Sequence, residues 1–157
     1  MIELKESPLH GKGLFAKRNI KKGEKFLIKG KVLSLAKFFK IPKKQKDNCF
    51  RFSEVEYLTP KGELCDLLNH SCNPNGRIVK KGSKLYFEAI KSILKGKEFV
   101  FDYTTVLARD DFWVMKCNCK DRCRKKIDKF DNLPADLLKK YIKESIIPAY
   151  ILGIETS

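Results

Sequence analysis

The chain has 157 residues, with 34 lysines and arginines against 19 aspartates and glutamates, and a formal net charge of +15 at pH 7. Its length is that of one domain, and its 43% hydrophobic and 34% charged residues are typical of a folded chain rather than a disordered one. No apolar run reaches the roughly 18 residues that a membrane span needs. No secretory signal is evident either. We therefore expect an intracellular protein without a membrane partner, located in the cytoplasm or the nucleus.

The positive charge is spread along the sequence, with local concentrations at residues 37–46 and 124–126. Such a charge attracts acidic surfaces and nucleic acid. No helix-turn-helix or other nucleic-acid-binding motif accompanies it, and a solvated lysine-rich surface has the same composition. Binding of nucleic acid through the basic surface stays open, and we expect no specific binding of this kind.

Short strands separated by glycine or proline turns are predicted along most of the chain. Residues 31–41 fit strand and helix patterns about equally, until Pro42 ends the run. Residues 63–68 are expected to be helical or extended. The whole pattern predicts an irregular, mainly β core with few helices. The predicted strands are residues 2–4, 14–16, 26–28, 50–52 and 56–58, a hairpin of 78–79 with 85–90, and residues 98–103.

The C-terminal part has a different pattern. Apolar residues at positions 137, 138, 141 and 142 form the stripe of an amphipathic helix from Leu133 to Lys143. Pro134 suits the first turn of this helix, and Pro148 limits it. The apolar residues 149–152 follow as a docking segment. Since no repeat or low-complexity linker is present, we expect one domain with a C-terminal appendage.

The sequence contains six cysteines. An intracellular chain rarely uses so many as disulfides, so clustered cysteines are better explained as metal ligands. Residues 117–123 form C-x-C-x3-C, which supplies three thiolates. Cys72, in the polar segment of residues 69–75, is the candidate for a fourth. The alternative is three reduced cysteines in a basic loop. Cys49 and Cys65 lie among apolar residues and are expected in the core. The predicted ligands of one structural Zn²⁺ are Cys72, Cys117, Cys119 and Cys123.

Residues 69–75 (N-H-S-C-N-P-N) follow two leucines and are unlike either a plain surface loop or a buried strand. Residues 98–103 (E-F-V-F-D-Y) come about thirty positions later. Two segments precede them, G-K-G-L-F-A and I-K-K-G-E, and one follows, C-N-C-K-D-R-C-R. The order of all these segments over residues 8–127 is typical of one protein family. The chain resembles the SET-domain protein-lysine methyltransferases that carry a zinc-binding post-SET tail.

The resemblance implies a fold of small curved sheets in which residues 69–75 and 98–103 meet in a knot-like crossing. It implies a SET core over residues 1–112, a post-SET zinc segment over 113–127 and a C-terminal helical appendage over 128–157. The implied reaction moves methyl groups from S-adenosylmethionine to a lysine of a protein substrate, either a histone-like tail or a non-histone protein.

The same resemblance assigns roles to individual residues. The hydroxyl of Tyr103 would lie at the transfer centre and orient the amine. Phe101 lies where the family uses phenylalanine or tyrosine to set how many methyl groups fit. Asn69 would hold the polar end of the cofactor, and His70 the adenine edge. The implied cofactor-binding residues are Lys12, Gly13, Leu14, Asn69, His70, Tyr103 and Trp113.

Three positions depart from the family pattern. Ile28 replaces the tyrosine of a Y-x-G segment, Asp66 replaces an arginine, and Lys97 replaces the first glutamate of G-E-E. Ile28 favours an alternative, a catalytically weak or inactive SET-fold binding module. Tyr103 with an intact N-H-S-C favours the enzyme. A zinc-stabilised nucleic-acid-associated protein is a further alternative.

Other interpretations of the same motifs fit less well. Residues 11–16 match G-x-G-x-x-A, but neither a helix at the second glycine nor a βαβ unit follows, so a dinucleotide site is excluded. His70 and Cys72 could form a hydrolytic pair only with an orienting group that the sequence does not show. If the substrate is a basic tail, an acidic groove is required. The candidates for that groove are Glu54, Glu56, Asp110 and Asp111.

Overall fold

The computed structural model describes residues 1–154, in which twelve short strands form five small sheets. The strands are β1 (Ile2–Glu6), β2 (Lys12–Ala16), β3 (Lys25–Ile28), β4 (Lys31–Ser34), β5 (Phe50–Ser53), β6 (Glu56–Thr59), β7 (Asn69–His70), β8 (Gly76–Lys81), β9 (Lys84–Ala89), β10 (Val100–Phe101), β11 (Met115–Lys116) and β12 (Lys126–Ile127). The helices are α1 (Leu35–Lys40), α2 (Lys43–Lys46), α3 (Ala135–Lys143) and α4 (Ala149–Leu152), with 3₁₀ turns at Leu64–Leu67, Tyr103–Val106 and Phe130–Asn132.

The main core forms on the sheet of β3, β9 and β8. Along β9, the side chains of Leu85, Phe87 and Ala89 are buried while those between them are partly exposed, so the strand presents one apolar face. Phe26 of β3 stacks on Phe87 with ring centroids 4.9 Å apart. Gly76 of β8 faces the same ring, where a Cβ would lie 1.9 Å from the Phe87 Cζ. Glycine is therefore required for β8 to approach the core.

The ambiguous segment 31–41 contains both predicted structures, since β4 is followed directly by α1. The hydroxyl of Ser34 accepts the N–H of Lys37 and caps the helix. In the sheet of β4, β6 and β5, the ring of Tyr57 lies against that of Phe38 in α1, with centroids 3.8 Å apart. Helix α1 is thus held on the sheet by aromatic packing.

The two signature segments meet as a parallel strand pair. Asn69 pairs with Val100, and His70 pairs with Phe101. The strand predicted over residues 98–103 was wrong in extent, because only two residues pair as β10. The side chain of Asp102 accepts the N–H of Thr104 at 3.1 Å and starts a 3₁₀ turn at the next residue. The prediction of a mainly β fold with few helices and small sheets is confirmed.

The predicted C-terminal helix is confirmed as α3, although Pro134 precedes it instead of lying in its first turn. The predicted docking segment forms the short helix α4. Both helices pack on a second core cluster that includes Phe130, Tyr141 and Ile151. Residues 155–157 of the predicted appendage lie outside the described residues, and the three-part division of the chain stays a prediction. None of the helices in residues 1–154 has the length and apolarity to cross a membrane.

Candidate active site and cysteine cluster

Asn69 joins three segments at the strand pair. Its side-chain amide donates to the carboxylate of Glu98 at 2.7 Å and contacts the carbonyls of Lys12 at 3.0 Å and His10 at 3.2 Å. Gly13 permits this packing, because a Cβ there would lie 2.1 Å from Glu98 Oε1 and 3.1 Å from Asn69 Nδ2. The turn at residues 10–13 is thereby fixed against both signature segments.

A cavity of about 620 Å³ opens beside this junction, within the volume range of small-molecule sites. Its walls come from residues 9–12, 113–119, the segment before β7 and the pair Asn69–His70. Leu14, by contrast, is buried in the main core, and neither it nor Gly13 is among the described residues that line the cavity. Five of the seven predicted cofactor residues line the cavity: Lys12, Asn69, His70, Tyr103 and Trp113.

A second, narrow cavity of about 60 Å³ has mostly aromatic and apolar walls. Rings of Phe38, Phe50, Tyr57 and Phe101 form these walls. Phe101 lies between Phe50 and Tyr103, at centroid distances of 5.7 and 4.9 Å. The two cavities share part of their lining, so they meet at one place. The shared residues are Asp47, Asn48, Asp66, Tyr103 and Trp113.

Tyr103 is held at this meeting point from both ends. Its backbone N–H donates to His70 Nδ1 at 3.1 Å, and its hydroxyl donates to the Leu68 carbonyl at 2.7 Å. Burial of the hydroxyl raises its pKa, and the negative charges of Glu98 and Asp66 raise it further. The phenol is therefore neutral at physiological pH and available as a donor and acceptor of hydrogen bonds.

The indole of Trp113 forms the opposite side of the meeting point, 6.0 Å from the Tyr103 ring between centroids. Its Nε1–H donates to Asp47 Oδ1 at 2.8 Å, which ties residue 113 to the end of α2. No sequence pattern predicted Asp47 at this site, because its hydrogen bond with Trp113 joins residues that are 66 positions apart.

Ile28, the residue that departs from the family tyrosine, is only 2% exposed and belongs to the main core. It lines neither of these two cavities of the described chain. Tyr57 brings a hydroxyl to the narrow cavity instead, where it donates to the Asp111 carboxylate. The sequence carried no signal for Tyr57, since its place depends on the packing of β6 under α1.

Arg51 binds two of the acidic residues predicted to form a substrate groove. Its side chain is only 5% exposed and donates to Asp110 at 3.1 Å and to Asp111 at 3.3 Å. Hydrogen bonds from Arg51 lower the pKa of Asp110, whereas burial raises the pKa of Asp111. The two carboxylates share the single positive charge of Arg51; Asp111 is buried, whereas the Asp110 side chain is 68% exposed and is the one of the two that a basic substrate could reach.

Three of the predicted metal ligands lie together. The sulfurs of Cys72 and Cys117 are 3.8 Å apart, and Cys119 Sγ and a His70 ring nitrogen lie within 4.8 Å of them. Two thiolates on a tetrahedral Zn²⁺ with bonds of about 2.3 Å are also separated by about 3.8 Å. Burial raises the pKa of the Cys72 thiol to about 11, and a bound cation would reverse that preference. The donor set and spacing therefore fit a structural zinc.

His70 and Cys123 differ in their suitability as a fourth ligand. His70 Nδ1 accepts the Tyr103 N–H, so in the neutral ring Nε2 carries the proton and is directed at Cys72 Sγ, 3.4 Å away. That nitrogen can donate to a thiolate but offers no lone pair to a metal. Cys123 is half-buried against the same cluster, with its sulfur 3.3 Å from the Cys117 carbonyl.

Asp102 connects the active-site turn to both C-terminal segments and was missed as a functional residue. It is 1% exposed and accepts two hydrogen bonds from Arg124, at 2.6 and 2.8 Å, and one from the Tyr141 hydroxyl at 2.9 Å. Arg124 also donates to the Thr104 hydroxyl at 3.0 Å. Two features of the sequence could have indicated this pair: the aspartate inside F-D-Y and the arginine directly after Cys123.

Residues 11–104 match the SET domain family, which is more than half of the chain. The chain therefore belongs to the SET domain family.

Among curated proteins, human histone-lysine N-methyltransferase 2B is 32% identical over 132 residues, 76% of this chain and 5% of that protein. The H3 lysine-36 specific histone-lysine N-methyltransferase of Saccharomyces cerevisiae is 37% identical over 67 residues, 40% of this chain and 9% of that protein. This chain thus spans less than a tenth of the length of either relative.

Solved structures show the same fold. A humanized mutant of the Chaetomium thermophilum Polycomb Repressive Complex 2 bound to an inhibitor matches with a TM-score of 0.58 and 26% identity, over 68% of this chain and 15% of that one. An active polycomb repressive complex 2 in the basal state matches with a TM-score of 0.56 and 25% identity, over 66% of this chain and 15% of that one.

Replacing Arg124 by methionine should strongly destabilise the protein, because the buried Asp102 carboxylate would lose its cation. We expect a loss of about 3 kcal/mol or more in the free energy of unfolding. Tyr141→Phe, the matched control, removes one hydrogen bond and should cost about 1 kcal/mol. Urea unfolding of the zinc-loaded proteins measures both. An Arg124→Met variant as stable as the wild type would contradict the structural role of this pair.

Proposed function

We propose that this domain is a protein-lysine methyltransferase that uses S-adenosylmethionine. The observation that carries the proposal is the junction of a large cavity with a narrow aromatic one at the hydroxyl of Tyr103, in a chain of the SET domain family. When bound in the large cavity, S-adenosylmethionine supplies a methyl group on a positively charged sulfur. The narrow cavity admits the lysine from the other side.

The walls of the narrow cavity prepare the lysine for attack. An ordinary lysine has a pKa near about 10.4 and is protonated, so it has no free electron pair at neutral pH. Phe50, Phe101 and the other rings exclude water and disfavour the charged amine, which lowers its pKa. The Tyr103 hydroxyl donates a hydrogen bond to the Leu68 carbonyl. Its oxygen is then free to accept an N–H of the amine and to point the amine lone pair at the large cavity.

The cofactor would be held by residues that line the large cavity. The ammonium of Lys12 suits the carboxylate of the methionine part, and the wall formed by His70 and Trp113 suits the adenine. The amide of Asn69 is already shared among Glu98, Lys12 and His10, so it shapes the wall rather than donating freely. Gly13 and Leu14 contribute through the position of the backbone.

We also propose that Cys72, Cys117, Cys119 and Cys123 hold one structural Zn²⁺, with His70 donating to the Cys72 sulfur. The same tail forms a wall of the large cavity through residues 113–119. Zinc would therefore order the post-SET segment over the cofactor, and its loss should affect activity more than the β core. The protein would act inside a cell, in the cytoplasm or the nucleus, on a lysine of a histone or non-histone protein.

The structure weakens the case for an inactive SET module. That alternative depended on Ile28, which lies in the core and away from the two cavities, while Tyr57 provides a hydroxyl on the narrow cavity. A specific nucleic-acid function has no corresponding feature at this junction.

Tyr103→Phe should reduce methyl transfer by at least about 100-fold, since the amine would lose the oxygen that orients it. Cofactor affinity should change little, because the ring remains. Transfer is measured by methyl incorporation into lysate proteins and affinity by calorimetry. Tyr86→Phe on β9 serves as the matched control and should behave like the wild type. Full turnover in the Tyr103→Phe variant would remove this residue from the mechanism.

Purified protein should contain about one zinc per chain. Cys117→Ser should release the metal and most of the activity, because its sulfur is central to the cluster. Cys49→Ser should retain the metal, since Cys49 lies outside the cysteine cluster and its thiol bonds to the Gln45 carbonyl of the adjacent helix. Metal analysis and a transfer assay on the same preparations check this. A metal-free preparation with full activity would refute the proposed role of zinc.

The native enzyme should produce di- or trimethyllysine. Phe101 itself has no hydroxyl with which to hold a water in the part of the narrow cavity where added methyl groups would lie. Phe101→Tyr should therefore shift the product toward monomethyllysine with little loss of the first-step rate. Mass spectrometry of a methylated substrate over time measures the distribution. A native product that stops at one methyl group would show that Phe101 does not control it.

A further inference from the structure

Two large apolar side chains are exposed next in sequence to residues that line the narrow cavity. Phe39 is 67% exposed and follows Phe38, whose ring lines that cavity. Phe112 is 90% exposed and lies between two residues that both line it, Asp111 and Trp113. Exposed rings of this size beside a cavity mark a binding surface. We call Phe39, Phe112 and the surrounding lysines of residues 37–46 the entrance face.

Lys46 holds one of these rings in place. Its ammonium donates to the Phe39 carbonyl at 2.8 Å and lies 5.7 and 5.8 Å from the ring centroids of Phe38 and Phe39. Such cation–π contacts favour the observed ring positions. The position of Phe39 on the entrance face is thus stabilised by its contacts with Lys46.

The charge of the entrance face is positive and largely uncompensated. Residues 35–46 contain five lysines and no acidic residue. In the part of the chain that the structure describes, no salt bridge joins Lys37, Lys40 or Lys44 to a carboxylate. Lys43 alone is paired, with Asp47 at 3.3 Å.

The acidic residues near the mouth are already occupied. Asp47 accepts both Lys43 and the Trp113 indole, and Asp66 accepts the Asn48 amide at 3.0 Å. Asp110 and Asp111 share the single positive charge of Arg51. These carboxylates thus have donors within the chain, whereas Lys37, Lys40 and Lys44 have no carboxylate partner among the described residues and can attract acidic side chains of a bound segment.

We infer that the substrate of this site is an extended protein segment whose target lysine is flanked by acidic and apolar residues. This inference rests on the proposed function and specifies its substrate class. Acidic side chains would pair with Lys40 and Lys44, and an apolar side chain would cover Phe39 or Phe112. Nucleic acid is the less suitable occupant, because a duplex offers neither a lysine for the cavity nor an apolar partner for the two rings.

Peptides of equal length with one central lysine test the inference. Their flanks are acidic with one leucine, neutral, or basic, and kcat/KM for methyl transfer is measured for each. We expect the acidic-flanked peptide to exceed the basic-flanked one by about tenfold or more, from two or three surface charge contacts. The double variant Lys40→Glu/Lys44→Glu should abolish or reverse that preference. The control Lys139→Glu/Lys143→Glu, on exposed positions of α3, should keep it.

The outcomes separate the inference from the function on which it rests. Transfer that is equal for all flanks, or best with basic flanks, would overturn the inference and leave the proposed function intact. So would binding of a short DNA duplex that the Lys40→Glu/Lys44→Glu variant loses, in the absence of any flank preference. No transfer to any peptide or to lysate proteins would overturn the proposed function and the inference together.

Discussion

The parallel pairing of β7 with β10 is the constraint on which the candidate site depends. Two backbone pairs bring residues 69–70 beside residues 100–101, although about thirty positions separate them in the sequence. The pairing alone is too short to be stable, so side chains secure it. The amides of Asn69 and Asn75 do so, the latter by bonding the Glu98 carbonyl and the Val100 N–H at 2.7 and 3.0 Å. Because Tyr103 is only two residues after the end of β10, this pairing also sets where the hydroxyl lies.

The turn after β10 links this strand pair to the C-terminal parts of the chain. Asp102 starts the turn, and its carboxylate binds Arg124 of the cysteine-containing tail and Tyr141 of α3. Arg124 in turn donates its backbone N–H to Cys72 Sγ at 3.4 Å. The wall of the large cavity, the cysteine cluster and the C-terminal helix are therefore connected through one buried carboxylate. A change at any of these three parts should shift the position of Tyr103, which is next to Asp102 in the chain.

Local patterns in the sequence were sufficient for most of the short strands, for α3 and for the grouping of Cys72 with Cys117 and Cys119. They predicted the meeting of residues 69–75 with 98–103 only through a family resemblance, since no periodicity encodes a long-range parallel pair. The 3₁₀ turn at Tyr103 was missed because it depends on one side-chain bond of Asp102. The narrow cavity and the capture of Asp110 and Asp111 by Arg51 arise from tertiary packing, which sequence spacing does not contain.

We propose that the large cavity holds the methyl donor and meets the lysine channel at Tyr103. A crystal structure of the zinc-loaded protein with S-adenosylhomocysteine would show whether the ligand lies there. We expect the nucleoside to lie between residues 9–12 and 113–119. The sulfur of the ligand should lie where the two cavities meet, within about 4 Å of the opening that faces the Tyr103 hydroxyl. A ligand bound elsewhere, or a sulfur directed away from the narrow cavity, would contradict the account.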